Sequence, residues 1–135
     1  MKNINIIYLL IILLGCNQME KKAPLIPMED FFRNPEKASF NISPNGKHIA
    51  YMKPWKTRMN VFVMDMNTKK ETRLTSFEER GVYGYAWLTD KRIGYIKDDG
   101  GNENMHFYAI DIDASNEIDL TPFENVQARI IDDLE

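Results

Sequence analysis

From Ala38 to Thr121 apolar and polar residues alternate with a period of two, in short runs separated by turn residues. The pattern predicts eight strands. The first four span 39–43, 47–53, 60–66 and 69–75. Ile49 and Tyr51 share one face of the second strand. In the third, Val61, Val63 and Asp65 lie opposite Phe62, Met64 and Met66. Turns are written between the strands: Ser43-Pro44-Asn45-Gly46, with Gly46 at a position that needs positive φ, and Asn67-Thr68. The other four strands are predicted over 82–88, 92–97, 105–112 and 116–121.

The second set repeats the first. Phe40 and Ile42 match Tyr85 and Trp87, and Ile49 and Tyr51 match Ile93 and Tyr95. Met64-Asp65-Met66 matches Ile110-Asp111-Ile112, and Leu74-Thr75-x-Phe77 matches Leu120-Thr121-x-Phe123. Four strands per unit, recurring after about 45 residues, are the signature of β-propeller blades. Two unrelated meanders would not share the Asp and Leu-Thr-x-Phe positions. The expected fold is therefore all-β: two four-stranded antiparallel blades of an incomplete β-propeller, over 38–77 and 78–123, with 124–135 opening a third. Propellers close with roughly 4 to 8 blades, so the chain reads as an N-terminal piece of a longer protein. Its open sheet faces are expected to carry Ile42, Tyr51, Trp87 and Tyr95.

The segment before the strands has a different character. Lys2 precedes an apolar run over 6–14, followed by Gly15-Cys16. The run is far short of the ~20 residues of a membrane span and fits a signal peptide over 1–15. Leu13-Leu14-Gly15-Cys16 resembles the bacterial lipobox. That resemblance implies lipidation at Cys16 and an exported protein held on a bacterial membrane, periplasmic or at the cell surface. The alternative is a plain signal peptide with an incidental cysteine. Residues 16–27 read as a tether and 28–37 as a short helical lead-in, with Phe31 and Phe32 as apolar plugs. The chain has 1 cysteine, which excludes an intrachain disulfide.

Composition adds little beyond this. Hydrophobic residues at 44% and charged residues at 27% are globular values. The net charge of −3, with both signs interspersed, offers no basic patch for nucleic acid.

The candidate chemistry is sparse. None of Ser39, Ser43, Ser76 and Ser115 stands in a Gly-x-Ser-x-Gly nucleophile frame. His48 is expected as an outward, solvated strand residue, and His106 as a structural one. No HExxH or paired-cysteine pattern calls for a metal, and no motif calls for a cofactor. The run "KDDGGNEN", 97–104, carries Asp98, Asp99, Asn102, Glu103 and Asn104. These are oxygen donors of the kind calcium takes, but the spacing is not that of an EF-hand. A Gly-Gly hairpin is the competing reading. Trp55 and Trp87 fit packing between sheets better than a ligand platform. Glu78, Glu79 and Arg80 fall in the connection between the blades.

The stretches "IPMEDFFRNPEKASFNISPNGKHIAYMKPW", "NVFVMD", "RLTS", "GYAWLTDKRIGYIKDDGGNEN", "YAIDID" and "DLTPFENVQARIIDDL" together resemble the propeller domain of the prolyl oligopeptidase family of serine peptidases, of the dipeptidyl and acylaminoacyl peptidase type. The resemblance covers residues 24–135. It implies a propeller that caps a C-terminal α/β-hydrolase domain with a Ser-Asp-His triad and filters the peptides that reach it. No catalytic residue of that triad is matched in this chain, and no substrate-binding residue is assigned. The expected function is the membrane anchor and first gating blades of an exported serine peptidase, with peptides as partners of the full-length protein. The alternative is a non-catalytic propeller lipoprotein that serves as a binding or scaffold module.

Overall fold

A computed structural model of the chain describes residues 23–131. The expected signal peptide, Cys16 and the first part of the expected tether lie outside the described residues. The chain divides into two compact units, Met1–Arg33 and Asn34–Glu135. In the first, helix α1 spans Met28–Phe32, with Glu29 and Asp30 in its first turn. Acidic side chains there suit the positive end of the helix dipole. Phe31 and Phe32, expected as plugs, are exposed. No helix among the described residues is long and apolar enough to cross a membrane.

The second unit holds two four-stranded antiparallel sheets. The first is β1 (Ala38–Ile42), β2 (His48–Trp55), β3 (Arg58–Asp65) and β4 (Glu71–Arg73). The second is β5 (Gly84–Thr89), β6 (Arg92–Lys97), β7 (His106–Asp111) and β8 (Ile118–Asp119). Each sheet follows chain order, as blades do. The expected repeat holds at the level of register. Ile49 pairs with Met64 and Tyr51 with Phe62, and Ile93 pairs with Ile110 and Tyr95 with Tyr108. Gly46 has φ +70°, and its N–H donates to Ser43 O at 2.8 Å. The turn therefore forms where its sequence places it.

The blades pack face to face, and the contact uses opposite faces of the two sheets. Ala50, Val61 and Val63 from the first blade form one cluster with Ile93, Tyr95 and Ile110 from the second, joined by Met52, Tyr85 and Trp87. This corrects the expectation about open faces. Tyr51 and Tyr95 hold equivalent positions, but in a stack the same face looks inward in one blade and outward in the next. Tyr95 and Trp87 accordingly sit in the inter-blade core. Tyr51 lies on the outward face and is nonetheless 0% exposed. Phe40 and Phe62 flank its ring at 5.4 and 6.3 Å, and Lys37 Nζ lies over it at 4.5 Å. Ile42, at 57% exposed, is open as expected. Residues 124–131 form no strand; Ala128 N–H donates to Met105 O.

Candidate functional site

Antiparallel order sends the end of β2, the exit from β4 and the end of β6 to the same end of the two blades. That end carries the connection 74–83 and the β6–β7 loop, 98–105. Asn60, 0% exposed, fastens the connection. Its Nδ2 donates to Arg58 O and Phe77 O at 3.0 and 2.9 Å. Its Oδ1 accepts from Thr75 Oγ1 and Phe77 N at 2.9 and 2.8 Å. Both donors and both lone pairs of the amide are used, which is what full burial of this group requires. Val82 N–H then donates to Met59 O. Gly81 is needed beside it, because a Cβ there would stand 2.7 Å from that carbonyl oxygen. Across the gap, Gly100 and Gly101 have φ +59° and +91°, and a Cβ on Gly101 would meet the Arg80 guanidinium at 2.7 Å. Glycine here supplies both the turn and the room for Arg80.

Two of the motifs singled out in the sequence therefore meet. Ser76, Phe77, Glu78, Glu79 and Arg80 from the connection face Lys97, Asp98, Asp99 and Gly100 across a cleft of about 240 Å³. Glu78 pairs with Lys56 at 2.6 Å. Lys97 Nζ lies 4.8 Å from the Phe77 ring and 4.9 Å from the Tyr108 ring. Asp98 is 4% exposed. Its Oδ2 accepts a 3.4 Å bond from Glu103 N–H, and its Oδ1 is enclosed with no partner.

Lys97 also borders a larger hollow of about 570 Å³ along the outer strands of the second blade, with Asp99, Asn104, His106, Tyr108 and Asp119 in its wall. His106 Nδ1 bonds Asp119 Oδ2 at 2.6 Å, and Asp119 Oδ1 accepts from Thr121 N–H at 2.8 Å. Burial pushes Asp119 upward, but the bonds from His106 and Thr121 outweigh it and hold the carboxyl below its ordinary value. Tyr108 is raised by burial and by the neighbouring Asp119.

The other sequence candidates are dispersed. Ser43 Oγ donates to Asn45 Oδ1 and accepts from His48 N–H within its turn. Ser115 bonds Asp113, and Ser39 sits at the β1 irregularity with φ +54°. His48 is half-buried rather than solvated. It shares a strand face with Ala50 and Met52, which meets the second blade, and Trp87 lies 6.5 Å away. Trp87 Nε1 donates to Asn41 O at 3.2 Å. Trp55 stacks under Arg73 at 3.5 Å, on the outward face rather than between the sheets. Among the described residues no three His, Cys, Asp or Glu side chains converge to hold a metal. Sequence reasoning missed Asn60, Glu71, Glu117 and Asp119. The last three lie at the outer edge strands. Glu71 and Glu117 recur, a signal only once the blades are aligned by register, whereas Asp119 has Arg73 as its counterpart.

No protein-family model matches the sequence. Dipeptidyl aminopeptidase BIII of Pseudoxanthomonas mexicana is 32% identical over 108 residues, 78% of this chain and 16% of that protein. Dipeptidyl peptidase family member 6 of Caenorhabditis elegans is 26% identical over 111 residues, 81% of this chain and 15% of that protein. The chain thus spans about a sixth of the length of these relatives. Among solved structures, ligand-free AtxE2 isopeptidase superposes with a TM-score of 0.51 at 15% identity, over 67% of this chain and 19% of that one. At that identity the likeness speaks to the fold alone. In sequence the chain is similar to dipeptidyl peptidases, in keeping with the expected prolyl oligopeptidase family, and its paired blades fit the β-propeller portion.

Proposed function

We propose that the chain forms the first blades of the substrate-filtering propeller of an exported serine peptidase. The hydrolysis would be carried out by an α/β-hydrolase domain outside these residues. The observation that carries this reading is the 32% identity to a dipeptidyl aminopeptidase over 78% of the chain. The disposition of the serines supports it: Ser43 and Ser115 are used by their own turns, and the imidazole rings of His48 and His106 face Asp65 and Asp119 rather than a serine hydroxyl. Peptides would meet the end that carries 74–83 and 98–105, where the polar clefts lie. Reading the coding DNA beyond Glu135 tests the proposal. An open frame that continues into a Gly-x-Ser-x-Gly nucleophile elbow supports it. A stop codon after a last blade, with no such motif, removes it.

The location is a second part of the proposal. Cys16 would carry the lipid that holds the protein on a bacterial membrane. Stable anchoring takes more than one acyl chain, at ~0.8 kcal/mol per buried methylene. Cys16→Ser should move the protein from the membrane to the supernatant fraction and abolish labelling by radioactive palmitate. Equal retention of native and variant would discard the anchor.

A further inference from the structure

We infer that the cleft between the blade connection and the β6–β7 loop is a subsite for a basic peptide side chain, of the lysine class. The inference rests on the peptide-filtering reading above. Its first ground is Asp98. A buried carboxylate oxygen without a hydrogen-bond partner is costly, and native structures rarely leave one without a reason. Asp98 is 4% exposed, lines the cleft, and has Oδ1 enclosed and unpartnered. The nearby cations do not neutralise it. Lys97 lies against the Phe77 and Tyr108 rings, and Arg80 donates to Tyr83 Oη at 3.0 Å.

The second ground is the sign of the walls. With Glu78 paired to Lys56, three carboxylates, Glu79, Asp98 and Asp99, still outnumber Arg80 and Lys97, so the cleft favours a cation. Among the described residues the carboxylates do not converge as metal ligands, which selects an organic cation. The third ground is shape. A charge held below the surface is reached by a cation on a long, slender apolar stem, and the Phe77 ring supplies an apolar wall for it. A lysine has such a stem, with three donors at its end. A chain-terminal amine has none.

The test is direct binding, which needs no hydrolysis and stays readable if the peptidase reading fails. The ¹⁵N-labelled full chain is titrated with four probes: N-acetyl-Ala-Lys-Ala-amide, its norleucine analogue, free-amine Ala-Ala-Ala-amide, and calcium chloride. The lysine peptide alone should shift the amides of 76–80 and 97–100. Asp98→Asn, which removes the uncompensated charge and keeps the shape, should weaken that binding by about tenfold or more, the size of one lost charge-assisted hydrogen bond, without lowering the melting temperature. If that variant does not fold, Glu79→Gln on the exposed connection takes its place, and unchanged affinity in it overturns the inference. Equal binding of the norleucine peptide, stronger binding of the free amine, the same shifts with calcium, or native affinity in Asp98→Asn would also overturn it.

Discussion

Tyr51 and Tyr95 occupy the same register position in successive blades, and each donates its hydroxyl to a glutamate at the start of the last strand of its own sheet, Glu71 opening β4 and Glu117 just before β8. The pairs close each blade from its second strand to its outer edge, across β3 and β7. Both tyrosines are buried and both are raised above the ordinary phenol value, first by burial and then by the glutamate. Hydrogen bonds to charged groups contribute about 1.5–3 kcal/mol. Tyr95→Phe should therefore lower the unfolding free energy by about 2 kcal/mol in urea titrations. Tyr51→Phe should lose less, because Lys53 and Lys37 still hold Glu71.

Asn60 predicts a larger loss. Its four hydrogen bonds join β3 to the connection. Asn60→Asp keeps the volume but turns acceptor oxygen toward two carbonyls. It should destabilise by about 3 kcal/mol and raise hydrogen exchange at Phe77 before it does so in the β-strands.

Gly81→Ala should be destabilising by about 1–3 kcal/mol. The added Cβ would press on the Met59 backbone, which cannot swing aside as a side chain can. Gly84→Ala is the control, because nothing lies within 4 Å of its Cβ position. A larger loss at Gly84 than at Gly81 in matched thermal melts would refute the close approach.

The pH dependence has two limbs. Glu71 is pushed up by burial, but Lys53, Tyr51 and Lys37 hold it lower overall, and Asp119 is lowered as well. A carboxyl with a depressed folded value stabilises the fold above its unfolded value. That stabilisation is lost as pH falls through about 4. Tyr85 is pushed up to about 12 by burial. Its contribution is complete below its unfolded value near 10 and is lost as pH rises from there to 12. Glu71→Gln should flatten the acid limb of a stability–pH profile, and Tyr85→Phe the alkaline one.

Much of the fold was legible because a period-two pattern written twice constrains itself. Ile49 and Tyr51 pair as Ile93 and Tyr95 do, and Gly46 turns where its φ demands. The strand ends were less legible. β8 keeps two residues of the six expected, since an edge strand is bonded on one side only. Which face meets which blade could not be read from Tyr51 and Tyr95, because a repeat gives equivalent residues different neighbours. The cleft was legible only in parts. Glu78–Arg80 and Asp98–Gly100 were both marked, but their meeting depends on antiparallel order bringing the two loops to one end. Asp98 looked like any loop acid, since burial leaves no mark in sequence.

The central claim is that these blades serve a serine peptidase whose nucleophile lies elsewhere. Fluorophosphonate labelling of the native gene product, followed by peptide mapping, tests it most directly. The account predicts one adduct, on a polypeptide that contains residues 23–131, at a serine in a Gly-x-Ser-x-Gly frame outside residues 1–135. Labelling of Ser39, Ser43, Ser76 or Ser115, or an intact product that takes up no probe, would contradict it.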